Sequence, residues 1–574
     1  VSSYDVAIVG GGPAGSTTAS LLRKYRPDLS VAIFEREVFP RDHVGESQLP
    51  VISIILDEMG VWDKVEAANF PIKIGATYRW GKSPRPWDFE FIPSSEFVDE
   101  PRPAKFEGQR TRTAFQVDRA VYDKILLDHA EERGCEVHQG VKVREVLREG
   151  DRVEGLKLES GETITAKYYV DASGHSGIIR RAMGVEVTCP TSLQNVAIWE
   201  YFENADWAVE IGVGGTRVLV MSLEYGWIWF IPLGLTRTSV GLIIPAEYYK
   251  KSGKKPEELY RKALTEDPLI AKLMVNAKGE GNLQTTKDWS FLSDRVVGEN
   301  WFLAGESAGF ADPILAAGMS MAHAGGREVA YSIAELERAK LPAAWIKDQY
   351  TQRQKRRLEN HIRFADYWYT ANALFEDLQD FTKQVASDAG LDLSPDKAWA
   401  WLAQGGFIDE DLSIGTGGYS LTAVKCMGEF LTEVHHGSPL EENNIFRLNL
   451  DGAEYKERAD YSNGTIKREP SYVRGEKVLP ISGVFAFLVK ILQREGRLPG
   501  IMHMIGEAAQ KYGHDPKFRE NILAWITQAM EAMIRDGWVL ASFDPRYPKV
   551  PLNAGPTDTV HWNLDLPTVE PSAA

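Results

Sequence analysis

Gly10, Gly12 and Gly15 fall at the spacing G-x-G-x-x-G, directly after the apolar run Val6-Ala-Ile-Val9 and before an alanine-rich stretch with helical character over 13–23. Strand, glycine turn and helix in that order form a phosphate cradle. The first glycine permits the turn, the second lets a pyrophosphate approach the backbone, and the third lets helix and strand pack closely. The helix N-terminus adds free N–H groups and a partial positive charge, which brings Pro13 and Ala14 into the same cradle. A second short strand, 30–34, ends in Glu35. It stands about twenty residues past the loop, where a carboxylate can accept from a ribose hydroxyl.

Two other places carry related chemistry. Arg119 opens a helix directly after a strand, in Gln116-Val-Asp-Arg-Ala-Val-Tyr-Asp123. A guanidinium fixed there can hold a phosphate or the edge of a flavin. The segment Gly305-Glu-Ser-Ala-Gly-Phe-Ala-Asp-Pro-Ile-Leu-Ala-Ala-Gly-Met319 joins a strand at 301–304 to a long helix through about 338. Its glycines and unpaired N–H groups can touch a second section of a dinucleotide. Gly305, Pro313, Gly318 and Met319 are the candidate contacts, and Glu306 can accept from a ribityl hydroxyl. Two widely separated cofactor segments are the pattern of an FAD fold rather than an NAD fold. Residues 36–50, broken by Pro40, Gly45 and Pro50, read as a loop lying on the cofactor, which adds Arg36 and Ser47.

The elements that must position these groups follow from periodicity. The expected fold is α/β: a Rossmann-like FAD-binding domain over 1–344, interleaved with a substrate-side antiparallel sheet at about 72–117 and 195–290. Alternating apolar and polar residues over 195–244 carry the sheet assignment. An appended, mainly helical domain is expected over 345–574, with helices near 345–378, 484–493, 502–512 and 518–536 and an extended or frayed tail beyond about 544. At 574 residues the chain exceeds one compact core. Its net charge of −16 argues against nucleic acid or an anionic membrane as the main partner. Cys135, Cys189 and Cys426 have no metal or redox spacing, so no metal site is expected. No membrane span is expected, and the expected compartment is cytoplasmic. His435-His436 has no further residue at ligand spacing. The aromatic stretch with Phe364, Tyr367, Trp368 and Tyr369 reads as interface core more readily than as pocket lining.

The glycine loop, Arg119, Asp171-Ala-Ser-Gly174 and the 305–318 segment together resemble the glutathione-reductase-type FAD superfamily, which includes aromatic hydroxylases, geranylgeranyl-reductase-like proteins and flavin-dependent halogenases. Three further stretches resemble the phenol- and pyrrole-type halogenases: Trp227-Ile-Trp-Phe-Ile-Pro232, His43-Val-Gly-Glu-Ser47 and Lys73-Ile-Gly-Ala-Thr-Tyr-Arg-Trp-Gly81. Asp288-Trp-Ser-Phe291 is similar to a segment of the same branch. The resemblance covers roughly residues 4–340.

The resemblance implies halogenation by hypohalous acid, made from chloride or bromide with reduced FAD and O₂. The reduced FAD comes from a separate NAD(P)H-dependent flavin reductase. Lys73 matches the lysine that holds or carries the electrophilic halogen. Trp227 and Trp229, two apart in a strand and so on one face, match the wall between substrate and flavin, with Pro232 completing the signature. The implied substrate is an electron-rich aromatic compound, a small molecule or one tethered to a carrier protein. Two departures stand out. Glu306 replaces the common Asp. Ala316 and Ala317 replace the usual hydroxyl residues beside the halide, which leaves the backbone N–H groups of Ala317 and Gly318 as the candidate halide site. Leu315 stands where tryptophan-halogenating members carry an acid, so free tryptophan is not the expected substrate. The alanines keep open an alternative: an FAD-dependent monooxygenase or a geranylgeranyl-reductase-like oxidoreductase.

Overall fold

The computed structural model describes residues 2–98, 100–211, 214–389, 421–432, 438–475, 477–512, 516–549 and 560–566. Val6, Ala7 and Ile8 are fully buried, as an unbroken apolar run must be when helices cover both faces of its sheet. Their strand, Ser2–Val9, lies inside a seven-stranded sheet ordered Glu136–Gln139, Val31–Glu35, Ser2–Val9, Thr163–Asp171, Arg152–Leu158, Val143–Glu149. Trp301–Leu303 pairs with the C-terminal end of Thr163–Asp171. Register sets Val9 level with Phe34 and with Asp171, and Asp171 level with Leu303, all in parallel pairs. The loops after these strands therefore leave from one edge, where a parallel sheet receives its ligand.

Two helices tie the start of the chain to the region beyond residue 300. Pro13–Tyr25 lies against Ala317–Arg338. A Cβ on Gly326 would stand only 2.4 Å from the Ala14 carbonyl oxygen, and Thr18 Oγ1 donates to the Gly326 carbonyl at 3.0 Å.

The second sheet has ten strands, among them Gln194–Glu203, Arg237–Pro245, Gly226–Pro232, Gly215–Leu223, Ile72–Arg79 and Trp87–Glu90 in that spatial order. It differs from the expected purely antiparallel sheet in one pair, because Gly215–Leu223 runs parallel to Ile72–Arg79. These strands come from distant parts of the chain, so no hairpin forces them antiparallel.

Beyond the long helix the chain folds back as Ala343–Thr370. Gly483–Leu492, Leu498–Tyr512 and Pro516–Arg535 follow where helices were expected. Two small sheets were not anticipated. Ile445–Leu448 pairs with Val539–Ser542, and Glu454–Ser462, Thr465–Arg474 and Lys477–Pro480 form a three-stranded meander. Val560–Trp562, in the stretch expected to be extended or frayed, adds to Trp87–Glu90 as an antiparallel strand. Phe364, Tyr367, Trp368 and Tyr369 are core residues, packed in one cluster with Trp80, Trp227 and Trp229. None of the four lines the cavity described below.

Candidate active site

A cavity of about 750 Å³ connects the edge of the parallel sheet with the second sheet. Its wall takes in Gly10, Gly12, Pro13, Ala14, Glu35 and Arg36 from the first two strand ends, and Ser47 and Arg119. Gly305, Glu306, Pro313, Gly318 and Met319 come from the loop before the long helix, and Lys73, Trp227 and Trp229 from the second sheet. Three candidates are not in the wall: Gly15, Pro232 and Ala317. A Cβ on Gly15 would fall 1.9 Å from the Gly10 carbonyl oxygen, so this glycine serves helix–strand packing. Ala317 is fully buried in a small cluster with Ala311, Met321 and Leu358.

The donor and acceptor set at the first end fits a flavin dinucleotide. Gly12 opens on the cavity, and a Cβ there would meet only Arg41 Nη2, at 3.8 Å. The Ser47 hydroxyl is buried without a hydrogen-bond partner. Glu35 accepts from the Gly11 N–H at 2.6 Å and the Glu37 N–H at 2.9 Å, and its carboxylate keeps lone pairs for ribose hydroxyls. Burial pushes the Glu306 carboxyl up, and the Arg119 charge partly opposes this.

Arg119 turns out to organise a loop. Its Nε and Nη2 form a two-pronged pair with Asp123 at 2.7 and 2.8 Å. Its Nη1 donates to the carbonyls of Val44 and Gly45 at 3.0 and 3.1 Å. The guanidinium therefore pins residues 44–45 just before Glu46 and Ser47. Glu46 was not singled out from sequence, because a lone acid in a loop has no periodic signal. It lines the cavity, and burial raises its carboxyl to about 7. The Tyr201 hydroxyl and the Gly45 N–H donate to it, each at 3.0 Å.

Lys73 reaches the cavity through a defect in its strand. Alternation would put residues 72, 74, 76 and 78 on one face and Lys73 on the other. Thr216 instead pairs with Lys73 and Arg217 with Gly75, so Ile74 is an extra residue. This bulge switches faces: Ile72 and Ile74 pack in their own cluster, while Lys73, Ala76 and Tyr78 share the cavity wall. Gly75 permits the contact beside it, since a Cβ there would stand 2.0 Å from the Phe89 carbonyl oxygen.

Lys73 is 2 % exposed, and its ammonium lies 5.4 Å from the centre of the Phe91 ring. No carboxylate pairs with it among the described residues. Burial alone lowers its amine from 10.5 to about 7. The unfolded chain therefore holds this proton up to pH 10.5, whereas the folded protein releases it near 7. Lys73 destabilises the fold by on the order of 3–5 kcal/mol below pH 7, a cost that vanishes as pH rises to 10.5. Lys73→Met is accordingly expected to raise the melting temperature at pH 7, with a gain that shrinks by pH 10. Thermal melts at the two pH values check this.

Period two also explains the tryptophan wall. Trp227, Trp229 and Ile231 line the cavity, while Ile228 and Phe230 face the opposite cluster with Leu259 and Tyr260. Pro232 shares the parity of the second set. Trp229 lies over Gly241, where a Cβ would stand 2.1 Å from its ring, and its Nε1 donates to the Ser239 hydroxyl at 3.1 Å. Gly241→Val is expected to push the Trp229 ring out of the wall at a cost of about 1–3 kcal/mol. A lower melting temperature and a changed tryptophan fluorescence would register this.

The loop before the long helix is set by Asp312, whose carboxylate accepts from the Ile314 N–H at 2.9 Å. Ala316 then takes a left-handed conformation (φ 54°) without being glycine, a strained geometry of the kind found at functional sites. Ala316 and Gly318 reach the cavity. Elsewhere, His435-His436 lies outside the described residues. Among the described residues, no group of three or more His, Cys, Asp or Glu is arranged to hold a metal ion.

The sequence profile of the tryptophan halogenase family matches residues 5–100 and 92–380. Tryptophan 2-halogenase of Chondromyces crocatus is 34% identical over 329 residues, 56% of this chain and 59% of that protein. The chain thus spans less than two thirds of that relative's length. The 1H-pyrrole-2-carbonyl-[peptidyl-carrier protein] chlorinase of Pseudomonas fluorescens is 33% identical over 386 residues, 65% of this chain and 85% of that protein. Among solved structures, the myxobacterial chondrochloren halogenase CndH superposes with a TM-score of 0.60 at 29% identity, over 69% of this chain and 87% of that one. The flavin-dependent halogenase CmlS shares the fold over 96% of this chain and 98% of its own, with a TM-score of 0.72 at 24% identity. With its glycine loop, buried lysine and paired tryptophans around one cavity, the chain belongs to the tryptophan halogenase family of flavin-dependent enzymes.

Proposed function

We propose that this protein halogenates an electron-rich aromatic or heteroaromatic compound, as a free small molecule or on a carrier protein. Bound reduced FAD supplies, with O₂, the two-electron oxidation: halide, O₂, FADH₂ and a proton give hypohalous acid, FAD and water. A separate NAD(P)H-dependent reductase provides the FADH₂, and chloride or bromide is the co-substrate. Gly10, Gly12, the helix N-terminus at Pro13–Ala14 and Arg41 would hold the pyrophosphate. Glu35, Ser47 and Glu306 would hold the ribose and ribityl hydroxyls, and Gly318 would offer a backbone N–H to the halide. Trp227 and Trp229 keep the substrate from the flavin. The Lys73 amine then holds or carries the electrophilic halogen for attack by the aromatic carbon.

The observation that carries this reading is Lys73, an amine without a counter-charge among the described residues, buried in the wall of the same cavity as the glycine loop. Ala76, Val218, Val220 and Ile243 line the same cavity beside the tryptophans. The pyrrolyl-carrier chlorinase among its relatives supports a carrier-bound pyrrole as one candidate. The test is incubation with a flavin reductase, NADH, FAD and bromide or chloride against phenols and pyrroles, each free and as a carrier thioester, read by mass spectrometry. A halogenated product is expected from at least one. Hydroxylated or reduced products in place of halogenated ones would overturn the reading.

A further inference from the structure

Ala343–Thr370 ends beside the cavity without lining it, and one hydroxyl near its end joins two walls of the site. Trp227 Nε1–H donates to the Tyr369 hydroxyl at 2.8 Å. Asn195 Nδ2 donates to the same oxygen at 3.2 Å, and the hydroxyl donates to Asp312 Oδ1 at 3.3 Å. A phenolic hydroxyl has one proton to give and lone pairs to receive, so this geometry uses both. Asn195 Nδ2 also donates to Asp312 Oδ2 at 3.1 Å. Asp312 in turn caps the turn Pro313–Leu315 through the Ile314 N–H. Trp227 belongs to the tryptophan wall, and Pro313, Leu315 and Gly318 belong to the loop that lines the same cavity. Tyr369 is 1 % exposed, so no water competes for these bonds.

We infer that Tyr369 is a positioning residue that fixes the tryptophan wall to the 312–318 loop, and through that loop sets the affinity of the site for halide. This rests on the halogenase reading. The end of the same helix is itself held firmly. The Trp368 carbonyl accepts from Trp80 Nε1 at 2.8 Å, and Asn372 Oδ1 accepts from the Gly81 N–H at 3.0 Å. A shift of this helix is therefore transmitted to Trp227 and to the loop together. Removing the hydroxyl leaves the Asp312 carboxylate one donor short and the Trp227 N–H buried without an acceptor, while the ring keeps its packing against Trp80 and Phe375 at 5.8 and 5.9 Å.

The test is Tyr369→Phe in the FAD-loaded protein. Bromide and chloride binding is titrated by the change in flavin absorbance, and the exchange of the Trp227 indole N–H is followed in protein carrying ¹⁵N-tryptophan, assigned with Trp227→Phe. FAD affinity within twofold of wild type, a halide dissociation constant raised about tenfold or more, and faster exchange of the Trp227 N–H are expected. A halide dissociation constant within twofold of wild type overturns the inference, whatever the melting temperature does. The two readings fail differently. A wild-type protein that neither binds halide nor halogenates removes the halogenase reading, whereas one that does both and is matched by Tyr369→Phe removes only the positioning role.

Discussion

Replacing Lys73 by methionine is expected to lower the proposed halogenation by about a hundred- to a thousandfold or more, while FAD binding and O₂ uptake by the reduced protein continue. The methionine fills a similar volume, so the apolar wall stays closed and the bulge at Ile74 has no reason to relax. What disappears is the one polar group that Lys73 brings to this wall. Its amine, lowered to about 7 by burial, is present in both protonation states at neutral pH. It can donate to an oxidised halogen as ammonium, or bond it as free amine. A hydroxylase or reductase working through the flavin would keep its rate in Lys73→Met. The measurement pairs halogenated product with oxygen consumption in the same sample: the first collapses and the second persists. The same substitution raises thermal stability at pH 7, so a loss of activity through misfolding is separable from a loss through chemistry.

Arg119→Met is expected to destabilise the protein by about 3–5 kcal/mol and to weaken FAD binding. Asp123 is fully buried, and the guanidinium holds its carboxyl below the usual range. Arg41, at 3.1 Å from the same carboxylate, remains as a partial substitute. The second loss is the pair of bonds to the Val44 and Gly45 carbonyls, which frees the segment bearing Glu46 and Ser47. A double variant, Arg119→Met with Asp123→Leu, tells the two losses apart. It removes the unpaired buried charge and should recover most of the melting temperature, but FAD affinity should stay low because the loop is still unpinned. Recovery of both would mean that Arg119 serves the fold and not the cofactor site.

Most of the first sheet is legible in the sequence because it rests on local signals: the buried run ending at Val9, the glycines that follow, and Glu35 at the end of the next strand. The tryptophan wall is legible for the same reason, since period two puts Trp227 and Trp229 on one face and excludes Pro232. Lys73 was found through resemblance, and its access to the cavity depends on a single extra residue, Ile74, that no periodicity reveals. The meander at 454–480 escaped notice because its first two strands, Glu454–Ser462 and Thr465–Arg474, are rich in charged residues. In these two strands only a few residues, such as Ala459, Tyr461 and Ile466, are buried, too few to produce an apolar alternation. The Tyr369–Asp312–Trp227 junction joins residues more than fifty positions apart and has no sequence signature. Ala317 is offered to the halide through its backbone N–H beside Gly318, while its methyl group packs with Ala311, Met321 and Leu358.

The central claim, that this cavity makes an oxidised halogen and not merely an oxidised flavin, is tested most directly without any substrate. FAD-loaded protein, chemically reduced under anaerobic conditions, is mixed with O₂ in chloride, in bromide or without halide, with monochlorodimedone present as the halogen trap. Halide-dependent halogenation of the trap is the expected result. Flavin reoxidation at one rate in all three solutions, with H₂O₂ released and the trap untouched, would contradict it.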